Sequence, residues 1–195
     1  MNQVERARCT AFVGMRRVAA GSLAEVATAI RPIVEAGESG PVLIFDDATG
    51  EQVEVDWRGT ADEVRARLMA GTPAEAPRGP GRPKLGVVAR EVTLLPRHWE
   101  WLGAQPSGAS VALRKLVDEA RHAGEGQDRV RRAKEGAYRF LSAMGGNLPG
   151  FEEANRALFA GDASRFAAET EAWPTDVRDH ARTLASAAFV PLDAA

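Results

Sequence analysis

The side chains able to do chemistry are few and scattered. The candidates are one cysteine, Cys9, three histidines, His98, His122 and His180, and the aspartates Asp46, Asp47 and Asp56. Nothing beside Cys9 obviously lowers its pKa, so it reads as a small residue at the edge of a first strand rather than a reactive thiol. A lone cysteine cannot close an internal disulfide, which fits a reducing compartment. The three aspartates suggest a metal or acid/base cluster, yet their spacing matches no calcium loop, and turn chemistry with the wet face of a strand accounts for them. Asp176 and His180 lie four positions apart and so share a helix face with Asp179 nearby; a surface ion pair is the plain reading. The phosphate-cradling, dinucleotide, zinc-protease, paired-cysteine and nucleophile-elbow motifs are all missing from the sequence. The expectation is no enzyme and no cofactor.

Charge is more informative than any single residue. The net charge is −2, but residues 1–71 hold 8 Lys/Arg against 11 Asp/Glu, residues 72–145 hold 13 against 8, and residues 146–195 hold 4 against 8. A basic middle between acidic flanks can dock on a polyanion, or be neutralised by its own flanks within the fold. The sharpest local signal there is Pro80-Gly81-Arg82-Pro83-Lys84. It resembles the core of an AT-hook, in which an extended Arg-Gly-Arg-Pro-Lys segment lies in the minor groove. Pro80 stands where the first arginine belongs, although Arg78 is close.

The segment that follows has strand character over 90–95, then Pro96, a short helix over 97–105, a Pro106-Ser107-Gly108 turn and an amphipathic helix over 109–123. It resembles the ribbon-helix-helix repressors, whose paired strands enter the major groove. That resemblance implies a dimer and a phosphate held at the second helix's N-terminus, with Ser110 as cap. The first helix is about a turn short for that family, and neither strand face, Arg90-Val92-Leu94 or Glu91-Thr93, suits base reading. A plain strand and helical hairpin fits the residues equally.

The elements that would carry these residues divide the chain. Residues 10–13 and 18–20 read as a hairpin around Gly14-Met15-Arg16-Arg17. Ser22 and Glu25 form a capping box for a helix bearing Leu23, Val26, Ile30 and Val34, kinked or shortened by Pro32 and ended by Gly37. Residues 42–45 are a buried strand, Asp47-Ala48-Thr49-Gly50 a turn, and Val53, Val55 and Trp57 alternate with polar residues as a further strand. A helix with Val64, Leu68 and Met69 starts at Thr60 or Asp62. The expected domains are a ββαββα unit over 1–71, a Pro/Gly-rich basic linker over 72–89, a strand-helix-helix segment over 90–126 and a helical region over 127–195. Gly124 and Gly126 are read as a break. Trp99, Trp101, Phe140, Phe151, Phe159, Phe166 and Trp173 are read as core, with an aromatic ligand pocket as the alternative.

Over most of its length the chain resembles an uncharacterised bacterial family, DUF2239. The resemblance is carried by Phe45-Asp46-Asp47-Ala48-Thr49-Gly50, by Gly81-Arg82-Pro83-Lys84-Leu85-Gly86, by Glu91 through Trp99, by residues 109–120, by Phe151-Glu152-Glu153-Ala154 and by residues 173–181. It implies a shared fold and no activity. Together these observations point to an α+β, cytoplasmic protein without a membrane segment. The expected function is DNA binding of a regulatory kind through Arg78, Arg82, Lys84, Arg90 and Ser110, with duplex DNA and a second copy as partners. The alternative is a helical module binding a protein or small ligand.

Overall fold

The computed structural model describes residues 8–37, 40–70, 88 and 90–190. Two strands, β1 (Arg8–Val13) and β2 (Arg16–Ser22), form the expected hairpin. Gly14 makes the turn at φ +56°, a left-handed conformation that costs glycine little. A third strand, β3 (Val42–Asp46), pairs antiparallel with the other edge of β1, so the order is β2-β1-β3.

Alternation along the central strand makes the sheet two-sided. Cys9 and Ala11 join Ile44, Val26 and Ile30 in a small core. Phe12, from the opposite face of β1, joins Phe45 in a larger one with the C-terminal helices. The first core is closed by α1 (Leu23–Ala36), whose capping box forms as expected: the Ser22 amide donates to the Glu25 carboxylate at 2.8 Å and the Glu25 amide to Ser22 Oγ at 3.4 Å. Gly37 ends the helix at φ 65°. Pro32 does not stop it, and both Pro32 and Thr28, whose carbonyl the proline leaves without its helical amide, are exposed residues.

The expected fourth strand is not formed. After the 47–50 turn the chain runs beside β3 for only a few residues, with one bridge between Phe45 and Gln52 and a hydrogen bond donated by the Val53 amide to the Ile44 carbonyl. Side-chain alternation persists without a ladder: Val53, Val55 and Trp57 pack on the small core while Gln52, Glu54 and Asp56 are exposed. Helix α2 (Ala61–Ala70) follows, begun by a second capping box between Thr60 and Glu63.

Helix α3 (Pro96–Gly103) starts on its proline, a first-turn position that needs no amide. Helix α4 (Ala109–Met144) runs for 36 residues straight through Gly124 and Gly126. The expected break is absent because each glycine costs only about 1 kcal/mol against alanine, and the flanking Arg, Glu, Gln and Ala residues favour helix. The remaining helices are α5 (Phe151–Ala160), α6 (Ala163–Glu169) and α7 (Thr175–Ala185), with a 3-10 turn at Ser186–Phe189. Asp162 caps α6 by accepting the Arg165 amide at 2.9 Å. The fold is α+β, a small sheet followed by a mostly helical region.

By contact density the chain forms two units. One combines Met1–Pro73 with Gly126–Ala195; the other is Ala74–Glu125. Within the first, the turn after β3 meets α4 backbone to backbone. A Cβ placed on Gly50, which has φ +66°, would collide with the Gly136 carbonyl, and one on Gly136 would stand 3.2 Å from the Thr49 carbonyl. The Gly50→Ala variant is expected to lose about 3 kcal/mol or more, through left-handed strain and the steric clash together. The Gly124→Ala variant, whose Cβ meets nothing within 4 Å, is expected to gain up to about 1 kcal/mol. Urea denaturation of both variants measures the contrast.

Candidate functional site

Two places concentrate chemically able side chains. The first lies in the larger unit, where the 46–50 turn meets α7. Asp46 is consumed by the turn: its Oδ1 accepts the Ala48 and Thr49 amides at 2.9 and 2.8 Å and the Thr49 hydroxyl at 3.1 Å. Asp56 lies apart from it, paired with Arg58 at 2.8 Å, and that guanidinium holds its carboxyl well below the usual range. The carboxylate cluster is therefore split. Among the described residues no group of three or more His, Cys, Asp or Glu side chains could hold a metal ion.

Asp47 pairs instead with a residue far off in sequence. Its Oδ1 faces His180 Nε2 at 3.7 Å, and both atoms are buried without a hydrogen-bond partner. The His180 ring is 4% exposed and meets Phe140 and Phe12 at centroid distances of 4.7 and 5.5 Å. Burial pushes its pKa below the ordinary value; the Asp47 carboxylate opposes that and the Arg17 guanidinium adds to it. The neutral imidazole is thus the native form, which suits an aromatic cluster better than a proton relay. Asp176, expected beside His180, turns to β2 and accepts the Arg17 amide at 2.8 Å. Asp179 pairs with Arg178 at 2.9 Å. The surface ion pair expected between Asp176 and His180 is not formed, because His180 lies inside.

Cys9 lies on the opposite face of the sheet, 2% exposed, with its thiol pushed up to about 11 by burial and by the Asp46 and Asp47 charges. The inert reading of this residue stands on the same grounds. Most aromatic residues are core as expected: Phe140, Phe166 and Trp173 are buried and Phe151 packs against them. Trp99, Trp101 and Phe159 are not, being 46%, 52% and 51% exposed.

Those tryptophans belong to the second place, the smaller unit. Its described residues bury only Leu102 and Ala112 among their hydrophobic side chains. Val88, Val92, Leu95, Trp99, Trp101, Leu116 and Val117 are all exposed. Between α3 and the start of α4 lies a groove of about 260 Å³, lined by Leu94, His98, Trp101, Leu102, Leu113 and Leu116. Sequence periodicity identified these helices but not how little of their apolar surface is covered.

The sequence-derived nucleic-acid residues fall on or beside this unit. Arg78, Arg82 and Lys84 lie outside the described residues. Arg90 is exposed, and residues 90–95 form no strand, so the ribbon of a ribbon-helix-helix protein has no counterpart here among the described residues. Ser110 is exposed in the first turn of α4 rather than at its cap. The helix starts at residue 109 as expected, and the cap position falls on Gly108, two residues before Ser110, with φ +75° and its carbonyl accepting the Ala112 amide. Further along α4 the basic residues are engaged: Arg131 with Asp128 and Glu135, Lys134 with the Phe159 carbonyl, and Arg139 with the Thr49 carbonyl.

Over residues 8–185 the chain matches the model of a family described as an uncharacterized protein conserved in bacteria, DUF2239. No curated protein and no solved structure matches it.

Two outcomes follow from the buried groups. Because the folded pKa of His180 lies below its unfolded value, the unfolded chain takes the proton first. Stability is therefore complete above pH ~6.5 and falls as pH drops toward the folded pKa, by at most about 1.4 kcal/mol per unit. The His180→Phe variant should flatten that slope in denaturation curves recorded between pH 7 and ~5. Cys9 should resist iodoacetamide in the native protein at pH ~8 and react fully in denaturant; rapid native alkylation would contradict its burial.

Proposed function

This chain belongs to that uncharacterised bacterial family, and we propose that it acts as a non-catalytic association module whose working surface is the helical hairpin of α3 and the first part of α4. One observation carries the reading. Of the twelve large hydrophobic side chains exposed among the described residues, seven fall between Val88 and Val117. A monomer scatters such residues; a run of them on a thin layer marks a surface made to be covered. Trp99 and Trp101 are the residue type that anchors protein interfaces, because a large rigid ring loses little entropy on burial.

Duplex DNA is the second reading, favoured by a different observation. Arg90, Arg97, Arg114 and Lys115 are exposed, and no ion pair to them occurs among the described residues. Together with Arg78, Arg82 and Lys84 in the basic linker they would supply phosphate contacts, with Ser110 adding a hydroxyl at the start of α4.

Both readings can be tested on the full chain. An apolar fluorescent dye such as anilinonaphthalene sulfonate, added to dilute protein, should bind the hairpin. The Trp101→Glu/Val117→Glu variant should lose that signal while keeping its melting temperature, since both side chains are half exposed. A variant with unchanged dye binding would remove the hairpin as the working surface. For DNA, anisotropy titrations with a mixed-sequence duplex should show affinity falling as salt rises. The Arg114→Ala/Lys115→Ala change should reduce the log–log slope by about two. Flat anisotropy at low salt would eliminate the nucleic-acid reading.

A further inference from the structure

Resting on the association reading, we propose that the partner covering the hairpin is a second copy of this chain, with the two α4 helices running side by side in the same direction about a two-fold axis. The argument begins with architecture. Two helices make half of a four-helix assembly, and they bury a core only when another pair lies across them. On α4, Leu116 and Val117 are 43% and 54% exposed, and Trp101 of α3, which lines the same groove as Leu116, is 52% exposed, so the hairpin holds an uncovered apolar face.

Charge selects the occupant. Residues 90–125 hold five Lys/Arg and five Asp/Glu, so the surface has no net sign with which to choose a strongly acidic or basic protein. Its own copy meets it without net repulsion. The placement of two of these charges goes further. At about 100° per residue, Leu113, Leu116, Val117 and Ala120 fall on one stripe of α4, all within ~60° of Ala120. Glu119 then lies about 100° to one side of the stripe and Arg121 about 100° to the other. Both are exposed, and Arg121 reaches Asp118 on its own helix only at 3.9 Å. A parallel two-fold axis along the stripe turns the Arg121 flank of each copy toward the Glu119 flank of the other. It thus makes two opposite-charge contacts at once, as an isologous interface requires. Ala120, at the centre, lets the helices approach closely.

Sedimentation equilibrium of the full chain across nanomolar to high micromolar concentration tests this. A species of twice the chain mass is expected, with dye binding falling as it forms. Arg121→Glu places glutamates on both flanks and should weaken association about tenfold or more, whereas Glu119→Arg/Arg121→Glu exchanges the flanks and should restore it. In the Ala120→Cys variant, mild oxidation should give an interchain disulfide, with buried Cys9 taking no part. A chain that stays monomeric at every concentration but still binds the dye overturns the second copy and leaves the hairpin as the surface for another partner. A monomer that binds no dye overturns both. A dimer indifferent to both charge variants overturns the parallel two-fold arrangement.

Discussion

The burial of β1 on both faces is the constraint from which the larger unit follows. A three-stranded sheet with one wet face needs one covering layer; this one needs two, because Cys9 and Ala11 point one way and Phe12 the other, all of them inaccessible. Helix α1, next in sequence, closes the first side. The second side is closed by helices far along the chain, around a cluster in which Phe140 meets Phe45 at 4.9 Å and Phe12 at 5.5 Å. The backbone approach of Gly50 to Gly136 and the Arg139 bond to the Thr49 carbonyl then fix the turn on α4. His180 completes the cluster as a neutral ring, at the cost of an imidazole nitrogen and a carboxylate oxygen that face each other unbonded.

Local signals in the sequence were faithful where the physics is local. The Ser22–Glu25 box, Gly37, Asp162 and the Gly14 turn each act over three or four residues, and each is where its spacing places it. Val53, Val55 and Trp57 alternate as expected, but alternation reports which side is buried, not whether a neighbouring backbone is there to pair with. Gly124 and Gly126 misled because isolated glycines do not break a long helix that is rich in Ala, Arg, Leu, Lys and Glu.

The candidate sites were less legible for a different reason. Asp47 and His180 are 133 positions apart, and nothing in either neighbourhood announces the other. His180 reads as a surface residue until Phe12 and Phe140 are seen around it. The hairpin has the opposite difficulty: its amphipathic pattern is plain, and an amphipathic helix is normally taken to have a core to face. Only the exposure of Trp99, Trp101 and Val117 reveals how little of that face is covered among the described residues. The basic middle likewise divides once partners are known, since Arg131, Lys134 and Arg139 are bound within the fold while Arg114 and Lys115 have no ion pair among the described residues.

The larger unit is discontinuous, built from Met1–Pro73 and Gly126–Ala195. Its bond from the Arg17 amide to Asp176 spans 159 positions. On a ribosome the sheet and α1 emerge early, but the face bearing Phe12 and Phe45 has nothing to meet until α4 to α7 are made. At about 5–20 residues per second, that face stays wet for several seconds of synthesis. Loop closure over such a distance adds little to equilibrium cost, since it grows only as the logarithm of length, yet it slows the search. The nascent chain thus passes through a stage in which an apolar sheet face and open strand edges are exposed together, the condition under which chaperones are recruited and aggregation begins.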